Sequence, residues 1–154
     1  MKHRFLLDVN ILYFGVKGVD ENGRPDSTCS ELTARILANC HTIRVDDALL
    51  ERYKEHMDWL RGDPRSMPQP LGVLNSLLHR SDKTILEAGD SPPLPQGIQV
   101  PKKDEYVVRA ALHSRPAVVT CDHALKRAIN EQSAALGGLK AITPAEALEL
   151  AKDK

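Results

Sequence analysis

Phe5-Leu6-Leu7-Asp8-Val9-Asn10-Ile11-Leu12 decides how the chain is read. A short apolar run ends in an aspartate, an asparagine follows two residues later, and a second apolar stretch begins behind it. A buried strand running directly into a helix has this form. The carboxylate of Asp8 is then expected at the carboxyl end of the strand, where open α/β sheets place their ligands. An aspartate at such a junction is also a common helix cap, so Asp8 alone does not separate chemistry from capping.

A second segment repeats the pattern. Pro116-Ala117-Val118-Val119-Thr120 reads as a buried strand, Cys121-Asp122 ends it, and His123 to Glu131 continues as a helix with Leu125 and Ile129 inward. Between these segments, His41-Thr42-Ile43-Arg44-Val45 is short and rich in β-branched residues, as a strand should be. Asp46-Asp47 follows as an N-cap pair, and the helix after it carries Leu49, Leu50, Tyr53, Met57 and Leu60 on one side. Helices are also expected over Val9–Val16, Ser27–Cys40 and Lys102–Leu112. Leu139–Ile142 is expected as a further strand, and Thr143-Pro144-Ala145-Glu146 as a capping box opening a last helix. Alternating strands and helices predict an α/β fold, a three-layer α/β/α sandwich around a mostly parallel sheet of four or five strands.

The 154 residues, 42% of them apolar, suit one domain over the whole chain. Seven of the ten prolines fall between Pro64 and Pro101. Leu71, Val73, Leu74, Leu77 and Leu78 are too apolar for a flexible linker, so residues 62–101 are expected to be an insertion or long surface connection, with a helix over Leu71–His79, bordering a cleft. Lys plus Arg and Asp plus Glu number 21 each, so no global field draws the chain to nucleic acid or membrane, and any such contact must use a local patch. Cys29, Cys40 and Cys121 are too few and too scattered for a disulfide framework or a zinc site and are expected as free thiols. Asp8 interrupts the N-terminal apolar run before a signal-peptide core can form, and no stretch approaches a membrane span, so a cytoplasmic location is expected.

Neighbouring strands would bring Asp8 and Asp122 together. Asp104, in the first turn of the helix feeding the Pro116–Thr120 strand, is expected at the same sheet edge, and Glu51, about one turn into its helix, is expected to lean over the rim. Clustered carboxylates repel one another unless something positive sits among them. A hard divalent cation that prefers oxygen ligands, Mg²⁺ or Mn²⁺, suits that need. Such a site can activate water for attack on a phosphodiester and stabilise the departing oxygen. Lys102, Lys103, His123, Lys126 and Arg127 flank the acids and are candidate contacts to an RNA backbone. With few aromatic residues there is little surface for stacking bases, and Trp59 reads as core or interface.

The segments Leu7-Asp8-Val9-Asn10-Ile11-Leu12, Lys103-Asp104-Glu105 and Val119-Thr120-Cys121-Asp122-His123-Ala124-Leu125 resemble, in this order and across nearly the whole chain, the PIN domain. The resemblance implies an α/β/α sandwich and a Mg²⁺- or Mn²⁺-dependent endoribonuclease, of which many bacterial examples are toxins paired with an antitoxin protein. It implies that Asp8, Asp104 and Asp122 are the acidic metal-binding residues, with Asn10 and Thr120 as polar companions orienting ligands or water. The family places a glutamate just before the aromatic residue of the helix that follows the second strand. Arg52 holds that slot here, leaving Glu51, Glu55 or Asp47 for a fourth carboxylate. RNA, an antitoxin and a second copy in a homodimer are the expected partners. A PIN-like fold without turnover, binding RNA or protein, is the alternative. Phosphotransfer on Asp8, as in receiver or haloacid dehalogenase-like folds, ranks last, because Asn10 stands where the second aspartate of the dehalogenase motif is expected.

Overall fold

The computed structural model describes residues 1–154. Phe5, Leu6 and Leu7 lie in the first strand, β1 (Arg4–Leu7), and are completely buried. They can be apolar in succession because the strand has neighbours on both edges and helices on its faces. The chain then runs α1 (Val9–Lys17), α2 (Thr28–Ala38), β2 (Thr42–Val45), α3 (Asp47–Gly62), α4 (Pro68–His79) and β3 (Thr84–Leu86). A turn of 3-10 helix (Lys102–Asp104) leads into α5 (Glu105–Ala111), and β4 (Ala117–Val119), α6 (His123–Glu131), β5 (Ala141–Ile142) and α7 (Pro144–Ala151) complete the fold. No helix is long and apolar enough to cross a membrane.

All five strands are parallel, in the order β3-β2-β1-β4-β5. The chain therefore moves outward from β1 to β2 to β3, crosses back to β4, and continues to β5. Right-handed crossovers put connections that travel in opposite directions on opposite faces, giving the expected α/β sandwich. Helix α2 packs against α1, α4 and α7, while α5 packs against β2 and α3 and α6 against β5. The reversal of direction lies between β1 and β4, and the crevice beyond the carboxyl ends of these two strands is the topological switch point of the sheet.

One apolar cluster of 30 buried residues joins strands to helices, among them Leu12 of α1, Ile36 of α2, Tyr53 and Leu60 of α3, Leu74 and Leu77 of α4 and Val107 of α5. Residues 62–101, expected as an insertion or long connection, supply α4 and the edge strand β3, and the longest stretch among them without helix or strand is residues 87–101. Helix α4 begins at Pro68, three residues before the expected start, since proline is tolerated in a first turn whose N–H groups have no intrahelical acceptor. The fold is tied down at that edge by Lys83, a buried lysine whose ammonium donates to the carbonyls of Ile36 in the last turn of α2 and of Asn39 and His41 just after it. A cation is favoured there by the helix dipole and the carbonyls left over at the helix end.

Candidate acidic site at the sheet switch point

Register builds the site. Leu7 lies opposite Val119, so the next residues, Asp8 and Thr120, leave the sheet side by side. The backbone N–H of Asp8 donates to the carbonyl of Val119 (2.9 Å), and that of Thr120 to the carbonyl of Ile142 (3.1 Å). Both are buried, with 3% and 1% of their surface exposed. Asp8 caps α1 through Oδ1, which accepts from the Val9 N–H at 2.8 Å, while Oδ2 accepts from the Thr120 hydroxyl at 2.7 Å. Thr120 Oγ1 also accepts from the Asp122 N–H at 3.0 Å, fixing the turn that presents the second acid. Asp122 caps α6 through Oδ1, on the amides of Ala124 and Leu125, and its Oδ2 lies 3.7 Å from the ammonium of Lys103.

Asp104 comes from the opposite crossover. It ends the 3-10 turn instead of sitting in the first turn of a longer helix, because the chain enters α5 from Pro101 through this tighter turn. Its side chain makes no capping bond, it is buried, and its Oδ2 has no hydrogen-bond partner. Asn10 Oδ1 is likewise buried and unpartnered. Buried acceptors normally find partners, so the free oxygen of Asp104, beside two other carboxylates, marks a place where something polar is accommodated.

The three aspartates feel one another. Burial, then the charges of Asp8 and Asp122, push the Asp104 carboxyl up to about 6, against the pull of Lys103. Burial holds Asp8 above the ordinary carboxylate range, opposed by the hydrogen bonds from Thr120 and Val9, with Asp122 adding to the rise and Lys103 reducing it. Desolvation and like charge are the forces that a bound cation relieves. An all-oxygen donor set with a free carboxylate oxygen suits Mg²⁺ or Mn²⁺ in chemistry. In the structure, however, no three His, Cys, Asp or Glu side chains converge tightly enough to hold a metal ion.

Glu51 does not join the three aspartates. It is exposed on α3, and the charges acting on Asp8 and Asp104 are their own, that of Asp122 and that of Lys103. The phase of α3 is the cause. Leu49, Tyr53, Met57 and Leu60 are its buried residues, and Glu51, two positions before Tyr53, is turned far around the helix from it. Glu55 and Asp47 are exposed as well. Besides Asp8 and Asp104, the buried acid at this end of the sheet is Asp46, which follows β2 and caps α3 through a bond from the Leu49 N–H (2.9 Å). Its Oδ2 accepts from the Ser91 hydroxyl and lies 3.4 Å from Nε2 of His113, so it is engaged with the long connection.

Two tyrosines missed as site residues stand beside the acids. Tyr53, placed in the sequence only among the apolar residues of α3, donates its hydroxyl to the carbonyl of Leu7, the residue before Asp8. Burial, with the charge of Asp8, holds its phenol well above the usual range. Tyr106, two residues after Asp104, is pushed up to about 12 by burial and by the charge of Asp8, which Arg52 counters. Arg52 lies over its ring, 4.6 Å from the centroid. The one available signal was an aromatic residue near the polar start of a helix.

The basic candidates are spread out. Lys103 faces Asp122, Lys126 lies 3.6 Å from Glu146, and His123 lies 3.6 Å from Glu21, while Lys102 and Arg127 are exposed. Trp59, expected as core or interface, is 52% exposed and stacks on Tyr13, with centroids 5.9 Å apart. A pocket of about 170 Å³ opens next to Thr120, lined also by Phe14, Glu21, His123 and the free cysteines Cys29 and Cys121, without including the three aspartates. Compared with protein-family models, with curated proteins and with solved structures, the chain matches none.

Proposed function

We propose that the chain is a PIN-like, Mg²⁺- or Mn²⁺-dependent endoribonuclease. The observation that carries this reading is Asp104, a buried carboxylate with one oxygen lacking any partner, raised by burial and by Asp8 and Asp122 at the switch point of a parallel sheet. Asp8, Asp104 and Asp122 would hold the ion, with Asn10 beside them. A bound divalent cation supplies positive charge that makes water more acidic and offsets the charge of the phosphodiester. The chain's own residues do the rest. The Thr120 hydroxyl fixes Asp8 Oδ2, and the amides of α6 fix Asp122 Oδ1, so both carboxylates are oriented before substrate arrives. Asp104, whose Oδ2 has no partner of its own, is the carboxylate left to accept the proton of the attacking water. Attack in line on phosphorus and departure of the 3′ oxygen leave a 5′-phosphate end.

A second reading, a PIN-like module that binds RNA or protein without turnover, is favoured by the exposure of Glu51 and by the absence of three converging ligands. One experiment separates the two. Purified protein is incubated with single-stranded RNA in Mg²⁺, in Mn²⁺ and in chelator. Hydrolysis dependent on metal and lost in both Asp8→Asn and Asp122→Asn supports the nuclease, and hydrolysis that survives either substitution removes the mechanism. A toxin role in the cytoplasm, with an antitoxin segment entering the same crevice and with assembly as a homodimer, belongs to the same proposal. A small reading frame beside this one, encoding a DNA-binding protein, supports it.

A further inference from the structure

Arg52 is exposed, yet two separate contacts locate it at the mouth of the acidic site. Its neighbour Tyr53 reaches inward to the carbonyl of Leu7, directly before Asp8, which fixes the rotation of α3 at this point. Its own guanidinium lies over Tyr106, 4.6 Å from the ring centroid, and Tyr106 stands one half-turn beyond Asp104 on the packed helix α5. Arg52 forms neither an ion pair nor a side-chain hydrogen bond, although Glu51 and Glu55 share its helix. The ring thus holds a planar fork of donors in place and leaves all of them free. Such a fork matches the two non-bridging oxygens of a phosphodiester, and an arginine stacked on an aromatic face loses little freedom on binding.

The charge balance gives that fork a task. Asp8, Asp104 and Asp122 place three carboxylates where a nucleic-acid backbone must approach, and Lys103, the cation whose charge acts on Asp8 and Asp104, lies 3.7 Å from Asp122. An approaching phosphate is repelled unless positive charge faces it from another wall of the crevice. Arg52 supplies this from α3, stacked on the tyrosine that feels the charges of Asp8 and Asp104.

We propose that Arg52, stacked on Tyr106, is a phosphate-binding residue that holds the backbone of single-stranded RNA at the entrance to the acidic site. This rests on the reading of RNA as substrate and names how the chain would grip it. A packing role for the arginine–tyrosine pair would affect stability and leave the salt dependence of RNA binding alone. A phosphate contact makes the opposite prediction.

The test measures binding of a fluorescein-labelled single-stranded oligoribonucleotide by anisotropy in Mg²⁺, over a range of salt, using Asp122→Asn protein to prevent cleavage. In that background Arg52→Gln is expected to weaken binding about tenfold, as loss of one charge-assisted contact does. It should also flatten the plot of log affinity against log salt by about 0.7, one phosphate contact on a single strand. Arg52→Lys should restore the slope. Tyr106→Leu should lose affinity as Arg52→Gln does, and Tyr106→Phe should keep it. An unchanged slope in Arg52→Gln, or no measurable RNA binding by the background protein, overturns the proposal. If the unsubstituted protein shows no hydrolysis while the slope changes as expected, the nuclease reading falls and the phosphate contact stands. Hydrolysis with an unchanged slope has the reverse meaning.

Discussion

Replacing Asp104 with asparagine should make the protein more stable in the absence of metal. The carboxyl of Asp104 is raised from its ordinary 3.8 to about 6, so the folded chain binds a proton there more tightly than the unfolded chain does. Stability from this residue is therefore complete below about pH 4, falls as the pH rises from about 4 to about 6, and stays at its reduced level above. At roughly 1.36 kcal/mol per pKa unit the loss is at most about 3 kcal/mol. Solvent screening of this incompletely desolvated carboxylate brings the expected value to about 1–2 kcal/mol. Asparagine is neutral at every pH, so Asp104→Asn should gain that amount at pH 7.5 in chelator. For a chain of this length the gain appears as a rise in melting temperature of roughly 2–4 °C per kcal/mol. At pH 3.5, where Asp104 is protonated, the two proteins should melt nearly together. Thermal unfolding at both pH values, with chelator and then with Mn²⁺, is the assay. Mn²⁺ should raise the melting temperature of the parent more than that of the variant, because ligand binding to the folded state is what stabilises it. If Asp104→Asn is the less stable protein at pH 7.5, or if the difference is the same at pH 3.5, burial and the neighbouring carboxylates do not raise Asp104 as argued.

Two further substitutions test the supports of the site and of the sheet edge. Thr120→Val keeps the shape of the side chain and removes the donor to Asp8 Oδ2, so a loss of about 1–3 kcal/mol is expected in urea unfolding at pH 7.5. Because that bond also lowers the pKa of Asp8, the deficit should shrink on acidification, and a deficit independent of pH contradicts the assignment. Lys83→Met leaves the carbonyls of Ile36, Asn39 and His41 without their shared buried donor. A loss of about 2 kcal/mol is expected in the same experiment, and an unchanged midpoint shows that these carbonyls find water instead.

The strands that carry the acids were legible because their composition leaves few alternatives. Phe5-Leu6-Leu7 and Val118-Val119 are apolar on both faces, as central parallel strands must be, and each ends at a polar residue that has to leave the sheet. Strand β3 carries no such signature. Thr84, Ile85 and Leu86 sit at the sheet edge with partly or largely exposed side chains, and the prolines on either side favour reading the region as a connection. The role of Lys83 was hidden because its partners are backbone carbonyls, which every residue carries. At Glu51 the periodicity correctly found the apolar side of α3, but it did not fix which neighbouring residue reaches the crevice. That depends on the single bond from Tyr53 to the carbonyl of Leu7, a contact between residues 46 positions apart. Asp104 was placed at the right edge but in the wrong local structure. A 3-10 turn, which leaves its carboxylate without a capping duty, has no sequence pattern that separates it from the first turn of a helix.

Capping and chemistry, alternatives for Asp8 and Asp122 in the sequence, are compatible in the structure because a carboxylate has two oxygens. In both residues Oδ1 takes the amides at the start of a helix, and Oδ2 is turned toward the switch point, against Thr120 in one case and facing Lys103 in the other. The cap restrains each side chain before any ligand is present, which is the orientation a reactive site requires. The strand order then makes the two caps neighbours, since β1 and β4 are adjacent and the helices that follow them both begin at the same end of the sheet. The double role also determines how the site can be tested. Asparagine caps a helix about as well as aspartate, whereas alanine does not. Asp8→Asn and Asp122→Asn therefore keep α1 and α6 in place while removing the charge from Oδ2. Loss of RNA hydrolysis with an unchanged helical circular dichroism spectrum assigns the loss to the carboxylates. If the helices unravel in the asparagine variants too, the charge of the aspartates is holding the fold, and hydrolysis measurements on them report stability instead of chemistry.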